Sequence, residues 1–315
     1  MSMRGTVISL INMKGGVGKT TLCREIGLFL SEKFCRLNDD GTSDELKVLL
    51  IDIDPQSNLT QSLLENLGKE SVVYKYDENG EIKKDSKGKP IVEYKCSIDN
   101  LFKGDMSGLQ EKHIILELSD NLHLIPGELE TVFLQRQQNS QTPFVLRNYI
   151  IEKKLKEKYD FILLDCPPTY SVYTEMSFYA SDYYLVPAVP DAYSSLGVDL
   201  LERVVKDIVH GQRFGIFEHA RPKNIGVIWS RVDLKYKPRQ QVHMDALLIS
   251  ETITQNGIKT LDSSFEESNK LSTSPFEKTI IDRNDSKLNE ILTNICKELI
   301  SETEVDVNEV IVEKE

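Results

Sequence analysis

Apolar residues in this chain gather in short unbroken runs, separated by longer stretches where they recur every three or four positions. Residues 6–11 (Thr-Val-Ile-Ser-Leu-Ile), 47–53 (Lys-Val-Leu-Leu-Ile-Asp-Ile) and 160–165 (Asp-Phe-Ile-Leu-Leu-Asp) are three such runs; Tyr183–Pro187 and Asn224–Trp229 are two more. Runs without polar alternation describe strands buried on both faces, as in a parallel sheet covered by helices. Between them, the stretch from Lys19 to Lys33 sets Leu22, Ile26, Phe29 and Leu30 on one helical face. Thr142-Pro143 reads as an N-cap with proline in the first turn, opening a helix through Val145, Leu146, Tyr149, Ile150 and Leu155. Leu196 to Val209 repeats the spacing with Leu201, Val204, Val205 and Ile208. Strands alternating with helices predict an α/β fold with a doubly wound, mostly parallel sheet flanked by helices.

One segment breaks this rhythm. Residues 72–96 have β-prone ends around a polar centre carrying Asn79-Gly80 and Lys87-Gly88, which reads as a hairpin insertion or as a surface loop. From Ser301 the chain turns acidic and is expected to fray. The expected organisation is a single domain over 1–300, with the insertion at 72–96 and an acidic C-terminal tail over 301–315.

Composition narrows the function classes. No apolar run approaches the roughly 20 residues of a membrane helix, and Val7–Ile11 lacks the features of a signal peptide, so no membrane association and a cytoplasmic location are expected. Five cysteines without a Cys-x-x-Cys pair point to reduced thiols rather than a zinc or iron–sulfur centre. The net charge of −12 disfavours non-specific nucleic-acid binding unless basic groups cluster on one face.

The first apolar run leads into Lys14-Gly15-Gly16-Val17-Gly18-Lys19-Thr20-Thr21 and then into a helix. Glycines here let backbone N–H groups close around phosphate oxygens, and the helix N-terminus adds its positive end. Lys19 is expected to reach the β- and γ-phosphates of ATP, and Thr20 to ligate Mg²⁺.

The additional lysine at the loop's start, Lys14, resembles the deviant P-loop of the ParA/MinD superfamily. Asp52-Ile53-Asp54-Pro55-Gln56-Ser57-Asn58 is similar to that family's Asp-x-Asp-Pro-Gln-Gly-Asn, with Ser57 in place of glycine. Asp165-Cys166-Pro167-Pro168 resembles its Walker B. Asn121-Leu-His-Leu-Ile-Pro126-Gly127, Val186-Pro187 followed by Tyr193-Ser194-Ser195-Leu196-Gly197, and Leu271-Ser272-Thr273-Ser274-Pro275 extend the likeness over nearly the whole chain, insertion and tail excepted.

The resemblance implies a homodimer bridged by ATP, in which Lys14 reaches the other subunit's nucleotide. It implies ATP contacts from Lys14, Gly15, Gly16, Val17, Gly18, Lys19, Thr20 and Thr21. Asp54 would orient the attacking water and, like Asp165, support Mg²⁺ through water, while Asp52 supports the switch. Ser230 falls where relatives approach adenine.

Among the branches, cluster carriers need cysteines at set positions, and MinD-like proteins need a basic amphipathic C-terminal helix, which the acidic tail opposes. An amidoligase would need a glutamine-hydrolysing domain that this length does not hold. The best match is to short, Soj-like partition ATPases; with few residues before the first strand, no N-terminal helix-turn-helix is expected. The implied activity is ATP-dependent dimerisation, non-specific DNA binding at the nucleoid, and hydrolysis stimulated by a ParB-like centromere-binding partner. Cargo positioning and control of transcription or replication are the competing outputs. The expected DNA surface is Arg231, Lys235, Lys237 and Arg239, with Arg221 and Lys223 just before them, Lys270 beyond and Asp233 the nearby acid.

Overall fold

The computed structural model describes residues 5–38, 40–103, 109–128, 140–218, 221–233, 235–267, 278–303 and 310–314. The first apolar run forms β1 (Thr6–Leu10), and the glycine loop leads into α1 (Lys19–Lys33). Two short strands follow, β2 (Phe34–Leu37) and β3 (Ser43–Glu45), before β4 (Val48–Asp52) and α2 (Asn58–Leu67). The insertion holds β5 (Val72–Tyr74) and β6 (Val92–Lys95); β7 (Leu116–Glu117) and β8 (Leu122–Ile125) come next.

Helices α3 (Val145–Glu152) and α4 (Leu155–Lys158) lead to β9 (Phe161–Asp165), α5 (Val172–Ala180) and β10 (Tyr183–Ala188). Then follow α6 (Ser194–Gly211), β11 (Lys223–Val232), α7 (Lys237–Leu248), α8 (Glu251–Asn256) and β12 (Thr260–Glu266). The described chain ends with α9 (Ile280–Arg283), α10 (Ser286–Glu302) and β13 (Val310–Glu313).

The main sheet has the order β12-β11-β10-β1-β9-β4-β8-β7 and is parallel except for the β7 edge. Successive strand residues feed opposite layers. Val7, Leu49, Ile51, Ile162, Leu164 and Val186 pack with α3, α5 and α6, whereas Ile8, Leu10, Leu50, Leu163 and Leu185 pack with α1, α2 and α10. Both faces are therefore dry, which is why these strands read as unbroken apolar runs. β1 lies centrally, with β9 on one side and β10 on the other. Its C-terminal end is thus a point where strand order reverses, the usual place for a ligand in an open α/β sheet.

Three expectations need adjustment. The helix expected from Thr142 is divided: Thr142–Phe144 is a 3₁₀ turn without a side-chain cap, and Lys154, at φ 52°, separates α3 from α4. The insertion is a hairpin, β5 antiparallel to β6, but its polar centre folds further through the bridges Tyr76–Ile82 and Lys84–Pro90. Two like turns shape it: Asp77 accepts from the Asn79 and Glu81 N–H groups, and Asp85 from those of Lys87 and Lys89. Finally, the end of the acidic tail does not fray. β13 pairs antiparallel with β2, and Glu313 meets Lys297 at 2.9 Å and the Thr293 hydroxyl at 3.1 Å.

Candidate nucleotide site

A cavity of about 510 Å³ opens at the C-terminal end of β1, lined by residues 15–21 together with Arg24, Asp54, Gln56, Asn58, Pro168, Arg231 and Phe265–Glu267. Gly16 and Gly18 hold φ at 73° and 81°, a region in which a side chain would be strained, so the loop can curl only with glycine there. No side chain caps the first turn of α1 and no acid lies in it, which leaves its N–H groups free for an anion. The Lys19 ammonium, buried beneath the loop, donates to the carbonyls of Asn12 and Lys14 at 3.2 Å each. Burial pulls Lys19 below the ordinary lysine range, and the charge of Asp165 opposes that pull.

The carboxylates come from neighbouring strands. Asp52 ends β4 and Asp165 ends β9; they are register partners, and both are fully buried. Burial, then the charge of Asp52, pushes Asp165 well above the usual carboxylate range, and the Thr20 hydroxyl offsets part of this. Among the described residues, neither Asp165 oxygen has a hydrogen-bond partner of ordinary geometry. A buried acid beside Thr20 with unused acceptor capacity fits a hydrated Mg²⁺ at the phosphate end of the cavity. Among the described residues no three His, Cys, Asp or Glu side chains form a metal cage by themselves, and a Mg²⁺ that keeps its waters and binds phosphate needs none. Asp54 lies at the cavity wall, its carboxylate accepting from the Gln56 N–H at 2.9 Å.

Asp52 is held from the other side. The Thr60 N–H and hydroxyl donate to it at 2.8 and 2.7 Å, and the Gly127 N–H donates to the Thr60 hydroxyl at 2.8 Å. A side chain at residue 127 would come within 2.9 Å of the Asp52 carboxylate carbon and carbonyl, so the Pro126-Gly127 turn is part of the support for this acid.

Other expected residues fall elsewhere. Ser230, expected near adenine, is fully buried and does not line the cavity; its hydroxyl donates to the Val17 carbonyl at 2.7 Å, with the Ala188 carbonyl 3.2 Å away, bracing the loop from beneath. Arg231, expected at a DNA surface, lines the cavity instead, reaching the Gly16 carbonyl at 3.3 Å and Glu267 at 3.2 Å. Arg221 and Lys223 lie at the opposite end of β11 from Arg231, about 26 Å away at ~3.3 Å per residue, so they do not join it in one patch. Lys235 and Arg239 are exposed, and Lys237 begins α7. Lys270 and the Leu271–Pro275 element lie outside the described residues.

Lys14 does not line its own cavity; its ammonium forms an ion pair with Asp191, just after β10. The five cysteines are free and buried. Among the described residues no helix is long and apolar enough to cross a membrane.

Residues 5–214 match the family model described as "AAA domain". An uncharacterized protein of Methanocaldococcus jannaschii is 29% identical over 204 residues, 64% of this chain and 66% of that protein, just under two thirds of its length. The chromosome-partitioning ATPase Soj of Treponema pallidum is 25% identical over 275 residues, 86% of this chain and 87% of the relative. Among solved structures, the ATP complex of a Cyanothece McdA variant superposes with a TM-score of 0.68 at 21% identity, covering 94% of this chain and 97% of that one.

Proposed function

Because the chain belongs to the AAA-domain family, on the Soj-like side of the ParA/MinD superfamily, we propose that it is an ATPase that pairs with a second copy of itself on ATP and uses that switch to segregate DNA. The observation that carries the reading is the division of labour between two lysines. Lys19 lies within the cavity, whereas Lys14, at the mouth of the same loop, holds its charge outside it. A cation that does not serve its own site is available to another subunit's phosphates, as an arginine finger is.

The phosphates of ATP would lie against the N–H groups of residues 15–21, with Lys19 on the β- and γ-phosphates. Mg²⁺, held by Thr20 and through water by Asp54 and Asp165, supplies charge neutralisation at the phosphates when bound. Asp54, at the wall, would orient an attacking water, and Asp52 with Thr60 and Gly127 ties that segment to β8. Binding of the ATP dimer to DNA would give the chain its association with the nucleoid, and a ParB-like centromere-binding partner would end it by stimulating hydrolysis and releasing the pair.

DNA contact would fall to Lys235, Lys237 and Arg239 before and within the first turn of α7. That helix begins without an acid in its first turn, so its dipole adds to their charge. A second reading, positioning of a protein cargo by the same switch, gains weight from Arg231, which faces the nucleotide cavity and Glu267 rather than a free basic surface.

Analytical ultracentrifugation with ATP, with ADP and without nucleotide, repeated with DNA at low salt, tests both parts. The expected result is an ATP-specific dimer that binds DNA and loses it in Lys235→Glu/Arg239→Glu. Absence of an ATP-dependent dimer overturns the switch; a dimer indifferent to DNA supports the cargo reading.

A further inference from the structure

We propose that a second cavity, at the far end of the sheet from the nucleotide, binds a small phosphorylated molecule whose head carries hydrogen-bond donors, the class of a nucleoside monophosphate. The cavity measures about 770 Å³. It lies between the C-terminal half of α6, the N-terminal ends of β10 and β11, and the turn from α8 into β12. Small-molecule sites span roughly 300 to 1,000 Å³, so one nucleotide-sized ligand fits. Among the described residues this cavity and the nucleotide cavity share none.

Its floor is polar where a helix meets a sheet. Glu202 of α6 is 6% exposed, and one of its oxygens accepts from the Tyr184 hydroxyl at 2.9 Å and the Asn224 amide at 3.0 Å. Burial raises the Glu202 carboxyl above its ordinary range, against these two bonds. The Asn224 side-chain oxygen is buried and, among the described residues, accepts no hydrogen bond. A buried acceptor in that state is costly, and a donor arriving through the cavity would satisfy it. Val205, Val209 and Ile258 supply apolar wall for the body of such a ligand.

The mouth is cationic. Lys206, Arg213, Arg221 and Lys223 line it and are exposed, with Asp207 the acid beside them, in a chain whose net charge is −12. Among the described residues neither Lys206 nor Arg221 has an acid at ion-pair distance. Arg213 is set by its neighbours: it donates to the His210 ring and lies over the Phe214 ring at 4.7 Å. Guanidinium forks and ammonium groups match phosphate oxygens. A phosphate at the mouth and a donor-bearing head on the floor use both ends of the cavity. Inorganic phosphate would use the mouth alone, and a DNA duplex would be held there too.

The test uses the full chain with Mg²⁺ and saturating ADP on the glycine loop, so that a second site is what remains open. Guanosine monophosphate, whose base edge carries N–H donors, is titrated by calorimetry beside inorganic phosphate. Saturable binding at least about tenfold tighter than that of phosphate is expected. Lys206→Glu/Arg221→Glu changes exposed positions only and should weaken the nucleotide at least about tenfold. Asn224→Ala, in protein with native circular dichroism, should weaken it roughly fivefold and leave phosphate binding unchanged. Wild-type protein that binds the nucleotide no tighter than phosphate, or a double variant that binds it undiminished, overturns the site. Duplex DNA that excludes the nucleotide, together with an Asn224→Ala variant indifferent to both, also overturns it and makes the mouth a polyanion surface.

Discussion

Asp52 and Asp165 are register partners at the ends of adjacent parallel strands, fully buried within one sheet. Two carboxyls so placed raise one another's affinity for a proton, and a bound cation opposes that.

This has a consequence for pH. Burial pushes Asp52 from 3.8 up to about 7, against the hydrogen bonds from Thr60 and with help from the charge of Asp54. With the folded value raised, the native chain holds more protons than the unfolded one between these limits. Stability of the metal-free protein should fall as pH rises through that window, by at most about 1.4 kcal/mol per unit from this group. Urea unfolding at about pH 5 and about pH 7 should show a smaller loss for Asp52→Asn than for wild type; equal losses would remove Asp52 from the account.

Lys19→Ala deletes the buried ammonium beneath the loop. ATP affinity should drop by about 100-fold, near 3 kcal/mol, with the fold intact. Calorimetric titration of a variant with native circular dichroism checks this, and undiminished affinity would refute the assignment of the loop.

Asp54→Ala should bind ATP as wild type does and hydrolyse it roughly 10²- to 10⁴-fold more slowly. The variant should accumulate as an ATP-bound dimer. Phosphate release beside ultracentrifugation reads both effects, and wild-type turnover would place the water-orienting group elsewhere.

Ser57 holds the N-cap position of α2 at φ 54°, and among the described residues its buried hydroxyl oxygen has no hydrogen-bond partner. The family motif that this stretch resembles has glycine at that place. Ser57→Gly should therefore stabilise the protein by roughly 1 kcal/mol, the lower end of the left-handed penalty. A lower melting temperature in the variant would show that the serine is compensated.

Much of this molecule was legible without coordinates. The glycine loop and Lys19 depend on local geometry: a strand, a turn that only glycine can make, and a helix start, all contiguous. The five central strands were readable because burial on both faces erases polar alternation. β2, β3, β7 and β13 were not, because they are only two to four residues long, too short for a hydrophobic pattern to show. β13 finds β2 more than 270 residues earlier, and nothing in an acidic tail announces that.

Side-chain placement was decided by tertiary structure alone. A run of basic residues around β11 reads as one patch, yet an extended ten-residue strand carries its two ends to opposite edges of the sheet. Ser230 and Arg231 are neighbours in sequence, but Ser230 turns beneath the loop, while an irregularity at Arg231, φ 54°, leaves the arginine at the cavity mouth. The contact between Lys14 and Asp191 spans 177 positions. Only parallel pairing of β1 with β10 brings the two loops after those strands side by side, and sequence spacing carries no record of that distance.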